Sequence, residues 1–139
     1  MRTFIHFVVA GIFLYTLIGC SSQYYKTKTV GSRTKYLKTI EKAKDDKRYF
    51  ILYSGINIYS VTSVDVDRAK QQFTVQLDKV DSLRLIYLQN PQTNRSRPKS
   101  GELTSFSEIR VYMSDSTSYT LDEPHTLFLD KVAKVELVD

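Results

Sequence analysis

The chain has 139 residues, enough for one domain with a single modest core, and it contains one cysteine and two histidines. A lone thiol excludes an internal disulfide framework and a thiolate zinc site, and so few imidazoles exclude a histidine metal cluster. Twenty Lys and Arg against fifteen Asp and Glu give a net charge of +5 at pH 7, a modest excess that does not call for nucleic acid as a partner.

Met1-Arg2-Thr3 carries one positive charge, and residues 4–18 carry none. This is the n-region and h-region pattern of a secretory signal. The apolar stretch falls short of the roughly 20 residues needed to cross a bilayer, so residues 1–19 are expected to be a cleaved targeting peptide rather than a membrane span. The small residue Gly19 directly precedes Cys20, and Ser21 and Ser22 follow. Leu17-Ile18-Gly19-Cys20 resembles the lipobox of bacterial lipoproteins; an ordinary signal peptide ending near a chance cysteine is the alternative. The resemblance implies a diacylglycerol thioether on Cys20, cleavage between Gly19 and Cys20, and a further acyl chain such as palmitate on the new amino group. Ser21, in place of the Asp that often marks inner-membrane retention in such proteins, implies the outer membrane where the cell has one. Each buried methylene contributes about 0.8 kcal/mol, so one chain holds marginally and two or three hold firmly.

Residues 20–34 read as a basic tether. Residues 20–60 hold nine Lys or Arg against three acids, whereas residues 61–139 hold ten against twelve. Lys26, Lys28, Arg33, Lys35 and Lys38 fall in a stretch with no acid at all. Beside anionic headgroups each such base gains up to about 1 kcal/mol; a solvated linker kept soluble by lysines is the competing reading. Tyr24 and Tyr25 suit an interface with ring buried and hydroxyl wet, or else begin the first strand.

Residues 35–139 carry the globular domain. Tyr36, Leu37, Ile40 and Ala43 recur at helical spacing, and the pattern is strongest from Thr39 to Lys47, with Thr39 placed to cap the first turn. The alternatives are a stripe packed on a sheet and an amphipathic helix lying on a membrane. Arg48 to Ser54, aromatic and aliphatic along most of its length, predicts a strand buried on both faces or nearly so, broken at Gly55. Ile56, Ile58 and Ser60, then Val64 and Val66, then Phe73, Val75 and Leu77 alternate with a period of two, as half-buried strands do. Asp67 to Gln71 has the length and polarity of a hairpin connection. Leu83, Leu85, Ile86 and Leu88 form a further apolar patch.

Gln89 to Ser105 reads as a long loop containing Pro91 and Pro98. Arg95, Arg97 and Lys99 alternate there and could meet an anionic glycan or a phosphate; a charged, solvated loop is the bland alternative. Strand patterns return at Phe106 to Met113, Tyr119 and Leu121, Leu127 and Leu129, and Val132 to Leu137, separated by Ser114 to Thr117 and by Asp122-Glu123-Pro124. Leu129 to Val132 suits one helical turn.

Seven or eight short strands and one clear helix predict a mainly β, single small antiparallel sandwich or barrel-like domain with one short N-terminal helix, preceded by the signal peptide. The order of lipobox, Thr-Ile-Glu-Lys-Ala helix, Arg48-to-Gly55 strand and turn, Asn90-Pro91 loop, Ser107-to-Tyr112 strand and closing Leu129-to-Leu137 segment resembles small uncharacterised lipoproteins of Bacteroidota-type bacteria. That resemblance implies location and a one-domain fold, and no activity.

Catalytic motifs do not appear. With His6 in the signal, His125, beside Pro124 in a loop, is the remaining imidazole: a general base if Asp122 or Glu123 orients it, or else an exposed turn residue. Glu102 and Glu108 are the nearest thing to a glycosidase pair, and nothing in the sequence marks them among fifteen acids. Tyr49 and Tyr53 share a strand face, and with Tyr59 they form a candidate platform for a sugar or protein, against the ordinary use of strand tyrosines in cross-strand packing. The expectation is a lipid-anchored envelope protein of noncatalytic binding or scaffolding type, without cofactor or metal. Its partners would be membrane lipid through Cys20 and an envelope protein or anionic glycan; the alternative is an anchored hydrolase acting on envelope glycans.

Overall fold

A computed structural model describes residues 26–89 and 107–139. The expected signal peptide with Gly19 and Cys20, most of the expected tether including Tyr24 and Tyr25, and Arg95, Arg97, Lys99 and Glu102 lie outside the described residues.

Among the described residues the domain is mainly β. The elements are β1 (Thr27–Thr29), α1 (Tyr36–Asp45) entered through a 3-10 turn at Arg33–Lys35, β2 (Tyr49–Ser54), β3 (Asn57–Asp67), β4 (Gln72–Asp78), α2 (Ser82–Gln89), β5 (Glu108–Met113), β6 (His125–Phe128), a 3-10 turn at Leu129–Lys131, and β7 (Val132–Val138). They form one seven-stranded sheet in the order β1-β7-β5-β2-β3-β4-β6.

β2 lies at the centre, and the reason is its composition. Phe50, Ile51 and Leu52 are consecutive and all buried, which only a strand covered on both faces allows. The β2–β3 and β3–β4 hairpins follow the turn signals. One pairing departs from the antiparallel expectation: β5 runs parallel to β2, with Tyr49 opposite Glu108 and Tyr53 opposite Tyr112. A parallel neighbour needs a long crossover, and the chain from Asp78 to Glu108 supplies it. Part of that crossover is α2, a second helix where the sequence showed only an apolar patch.

The sheet curls. In a flat sheet β6 and β7 would stand five strand spacings, about 24 Å, apart, yet the four residue steps from Phe128 to Val132 reach at most about 14 Å. The barrel-like arrangement is therefore enforced by a single three-residue turn. The bend is assisted by a register shift between Val61 and Ser63 on β3. Before it Tyr59 and Val61 face the interior, and after it Val64 and Val66 do, so one extra residue reverses the alternation.

α1 fills the open side. Tyr36, Leu37, Ile40 and Ala43 enter a core with Phe50, Leu52, Phe73, Val75, Ile109 and Val135. The Tyr36 hydroxyl donates to the Ala133 carbonyl on β7 at 3.4 Å, and Glu41 pairs with Arg68 in the β3–β4 turn. The helix begins earlier than Thr39 predicts: the 3-10 turn starts it at Arg33, so Thr39 lies inside and caps nothing. Its end is a complete Schellman motif. Arg48 N–H donates to Ala43 O and Lys47 N–H to Lys44 O, each at 3.0 Å, with Lys47 at φ 52° where glycine is usual.

Two other expectations are corrected. Ile56 is 97% exposed at the hairpin tip rather than in a strand. Tyr119 and Leu121 pack on the core without a ladder, because side chains satisfy their segment: Ser54 donates to Thr117 O (2.8 Å), Gln76 to Leu121 O (2.9 Å), and Tyr119 N–H donates to the Tyr59 hydroxyl (3.0 Å). The neighbouring loop closes so tightly over Gly55, itself at φ 59°, that a β-carbon there would come within 2.8 Å of Ser116.

Candidate functional site

The face of the sheet turned away from the core carries the chemistry. Alternation along β2, β5 and β7 places Tyr49, Ile51 and Tyr53 beside Glu108, Arg110 and Tyr112, and these beside Val138, Glu136 and Lys134. At one end Glu108 is buried. One carboxylate oxygen accepts from Arg84 of α2, itself 2% exposed, and the other accepts from Arg110 Nε and Nη2 at 3.0 and 2.9 Å. The Arg84 guanidinium also lies 3.7 Å from the centre of the Tyr49 ring. Tyr49 is thereby used as a lid on an ion pair.

Four residues along the strands the character changes. Tyr53 and Tyr112, both half-buried, stack with ring centres 4.5 Å apart and planes 9° from parallel. Lys134 Nζ sits 4.2 Å over the other side of the Tyr112 ring and 2.9 Å from Glu136, which also accepts the Tyr112 hydroxyl at 2.9 Å. The ring separation nearly equals the strand spacing, about 4.8 Å, so the rings stand on edge across the sheet. The two rings cover one face of each other, so the pair is not a flat, open aromatic surface.

Electrostatics fix the protonation states. Burial pushes the Tyr112 hydroxyl well above the usual phenol range, and the Glu136 hydrogen bond and the neighbouring Tyr53 reinforce it. Burial also raises Tyr53, with Arg110 opposing and Glu108 and Glu136 adding to the rise. Both phenols are neutral hydrogen-bonding groups at physiological pH, not nucleophiles. Burial works against the Glu136 charge, but hydrogen bonds from Lys134 and Tyr112 together with the Lys134 and Arg110 charges outweigh it and hold the carboxyl below its ordinary value.

Of the three tyrosines singled out in the sequence, Tyr49 and Tyr53 share this face and Tyr59 does not. Tyr59 pairs with Leu52 across β2–β3 and is in the core. Tyr112, the stacking partner, was not singled out: its place beside Tyr53 depends on the parallel β2–β5 register, which no local pattern announces. His125 does not pair with Asp122 or Glu123. Its Nε2 lies 2.8 Å from the Thr120 carbonyl oxygen, which can only accept, so Nε2 carries the proton, and Glu123 takes the Thr120 hydroxyl instead. Among the described residues there is no cluster of three or more metal-ligating side chains, and no helix long and apolar enough to cross a membrane.

No family model, no curated protein and no solved structure matches this chain.

Proposed function

We propose that the protein is a lipid-anchored domain of the cell envelope, held through acylated Cys20 and most readily in an outer membrane, that binds or scaffolds an envelope protein through the Tyr53–Tyr112 end of its outer sheet face. The observation that carries the binding half of this reading is the stacked, half-buried tyrosine pair flanked by Arg110, Lys134 and Glu136. Tyrosine and arginine on a preorganised surface are the residues that protein interfaces concentrate. The edge-on rings favour a protein over a sugar, since a pyranose stacks on an exposed ring face. The cations are already balanced by Glu108 and Glu136, which lowers their capacity for an anionic glycan. A hydrolase reading finds less support, because both oxygens of Glu108 are taken up by guanidinium groups.

The test is co-purification from crosslinked membranes with wild-type protein and with the Tyr53→Ala/Tyr112→Ala pair. The expected result is an envelope protein enriched by the wild type and lost with the double variant. Equal recovery by both, or glycan cleavage by the purified protein with no partner enriched, contradicts the proposal. The anchor has its own test: Cys20→Ser abolishes fatty-acid labelling, and unchanged labelling refutes it.

A further inference from the structure

Lys26 exchanges both backbone hydrogen bonds with Asp139, at 2.8 and 3.0 Å, and the Asp139 carboxylate lies 2.6 Å from Arg48 Nη1. The start of the described chain is thus fastened to the turn that ends α1. Two shallow clefts flank Arg48. The first, about 340 Å³, runs along α1 between Lys35, Lys38 and Lys42 on one side and Leu137 on the other; the second, about 420 Å³, lies between Lys44, Lys47 and the bulged part of β3. Lys35, Lys38 and Lys42 share one flank of the helix by their spacing of three and four, and Lys28 stands opposite Leu137 in the β1–β7 register.

The charge of this end is unbalanced. Lys42 pairs with Asp46 at 3.4 Å and Arg48 is engaged by Asp139, whereas Lys35, Lys38, Lys44 and Lys47 are all exposed and have no acidic partner among the described residues. The apolar side chains of α1 are committed to the core, so the helix has nothing to insert into hydrocarbon. What it offers is a rigid array of ammonium groups.

We infer that this basic end is a docking surface for anionic lipid headgroups, which seats the domain on the membrane with α1 and the Lys47-Arg48 turn facing the bilayer. The inference rests on the proposed acylation of Cys20. Cys20 is six residues before Lys26, so even a fully extended connection spans at most about 22 Å, and an anchored chain keeps the lysines at high local concentration beside the headgroups. An anionic surface attracts such basic segments within about a Debye length, roughly 8–10 Å at moderate salt. Docking of this kind sets an orientation. Tyr53 and Tyr112 lie four residues along their strands from the Tyr49 and Glu108 end, about 13 Å further on, and remain open to a partner while the basic end is covered.

The test uses the acylated protein, purified from membranes in detergent and reconstituted into vesicles of phosphatidylcholine alone or of phosphatidylcholine mixed with phosphatidylglycerol. Brief acetylation followed by peptide mass spectrometry reads every lysine and the Cys20 peptide in one sample. The expected result is an acyl mass on Cys20, with Lys38, Lys42, Lys44 and Lys47 labelled several-fold more slowly in the anionic vesicles, Lys79 and Lys131 unchanged, and the difference erased by high salt. An acyl mass with no selective protection overturns the docking surface and leaves the anchor standing. A Cys20 peptide without an acyl mass overturns the anchor, and the docking proposal falls with it. Protection equal in both kinds of vesicle shows a contact that does not depend on lipid charge and also overturns the proposal.

Discussion

Phe50 and Leu52 leave β2 toward a core of aliphatic and aromatic side chains, while Tyr49 and Tyr53 leave it on the other side toward two arginines, two glutamates and a lysine. Both faces exclude water from much of their area, but by different physics. The inner face gains from apolar burial, about 25 cal/mol per Å², and needs only shape and volume to match. The outer face must satisfy every buried charge with a specific partner, and Glu108 with Arg84 and Arg110 is that solution. A sheet needing only a core could carry simple polar residues outside, and the proposed binding surface is the part of this outer face that is instead built from stacked and paired side chains.

Truncation on the inner face should have the largest effect. Phe73 is fully buried in the core it shares with α1 and lies opposite Leu127 of β6, and Phe73→Ala is expected to cost about 3–5 kcal/mol, read by urea unfolding. The equivalent break on the outer face is Glu108→Gln, which leaves two guanidinium groups without their counter-charge. About 3 kcal/mol is expected. The faces separate in the second experiment: replacing Arg84, Glu108 and Arg110 together by Met, Leu and Leu should recover most of the loss, as removing a whole buried ion cluster often does. No recovery would mean that packing, not pairing, dominates there.

A smaller effect lies between the faces, at the helix end that joins them. Lys47 holds a left-handed conformation that favours glycine, so Lys47→Gly is expected to raise stability by up to about 1 kcal/mol in the same unfolding assay. The smallest effect is that of Glu136. Its folded carboxyl sits below the ordinary value of 4.5, so its stabilising contribution is present above that pH and is lost as pH falls through the lowered value. A melting-temperature series in acid should show a limb that Glu136→Gln flattens, whereas Phe73→Ala shifts the whole curve without changing its shape.

The inner face was legible from the sequence because its logic is periodic. The alternation in Phe73, Val75 and Leu77, the helical spacing of Tyr36, Leu37, Ile40 and Ala43, and the unbroken apolar run of β2 each report burial locally. The outer face was legible only in part. Tyr49 and Tyr53 share a parity that any strand reveals, but Tyr112 and Glu108 reach them through a crossover more than fifty residues further along the chain. Arg84 was hidden too, because in sequence it looks like a stray charge inside the Leu83–Leu88 patch and its partner Glu108 lies 24 residues further on. Tyr59 misled because the hairpin register sets it opposite Leu52, so it takes the inward side of the sheet rather than the side of Tyr49 and Tyr53.

The most direct test of the account places a photocrosslinking benzophenone side chain at position 53 or 112 of the full chain in intact cells, with position 70 in the β3–β4 turn as reference. If the outer face is the binding surface, positions 53 and 112 yield the same discrete protein adduct and position 70 does not. Adducts at position 70 alone, or identical patterns at all three positions, would contradict it.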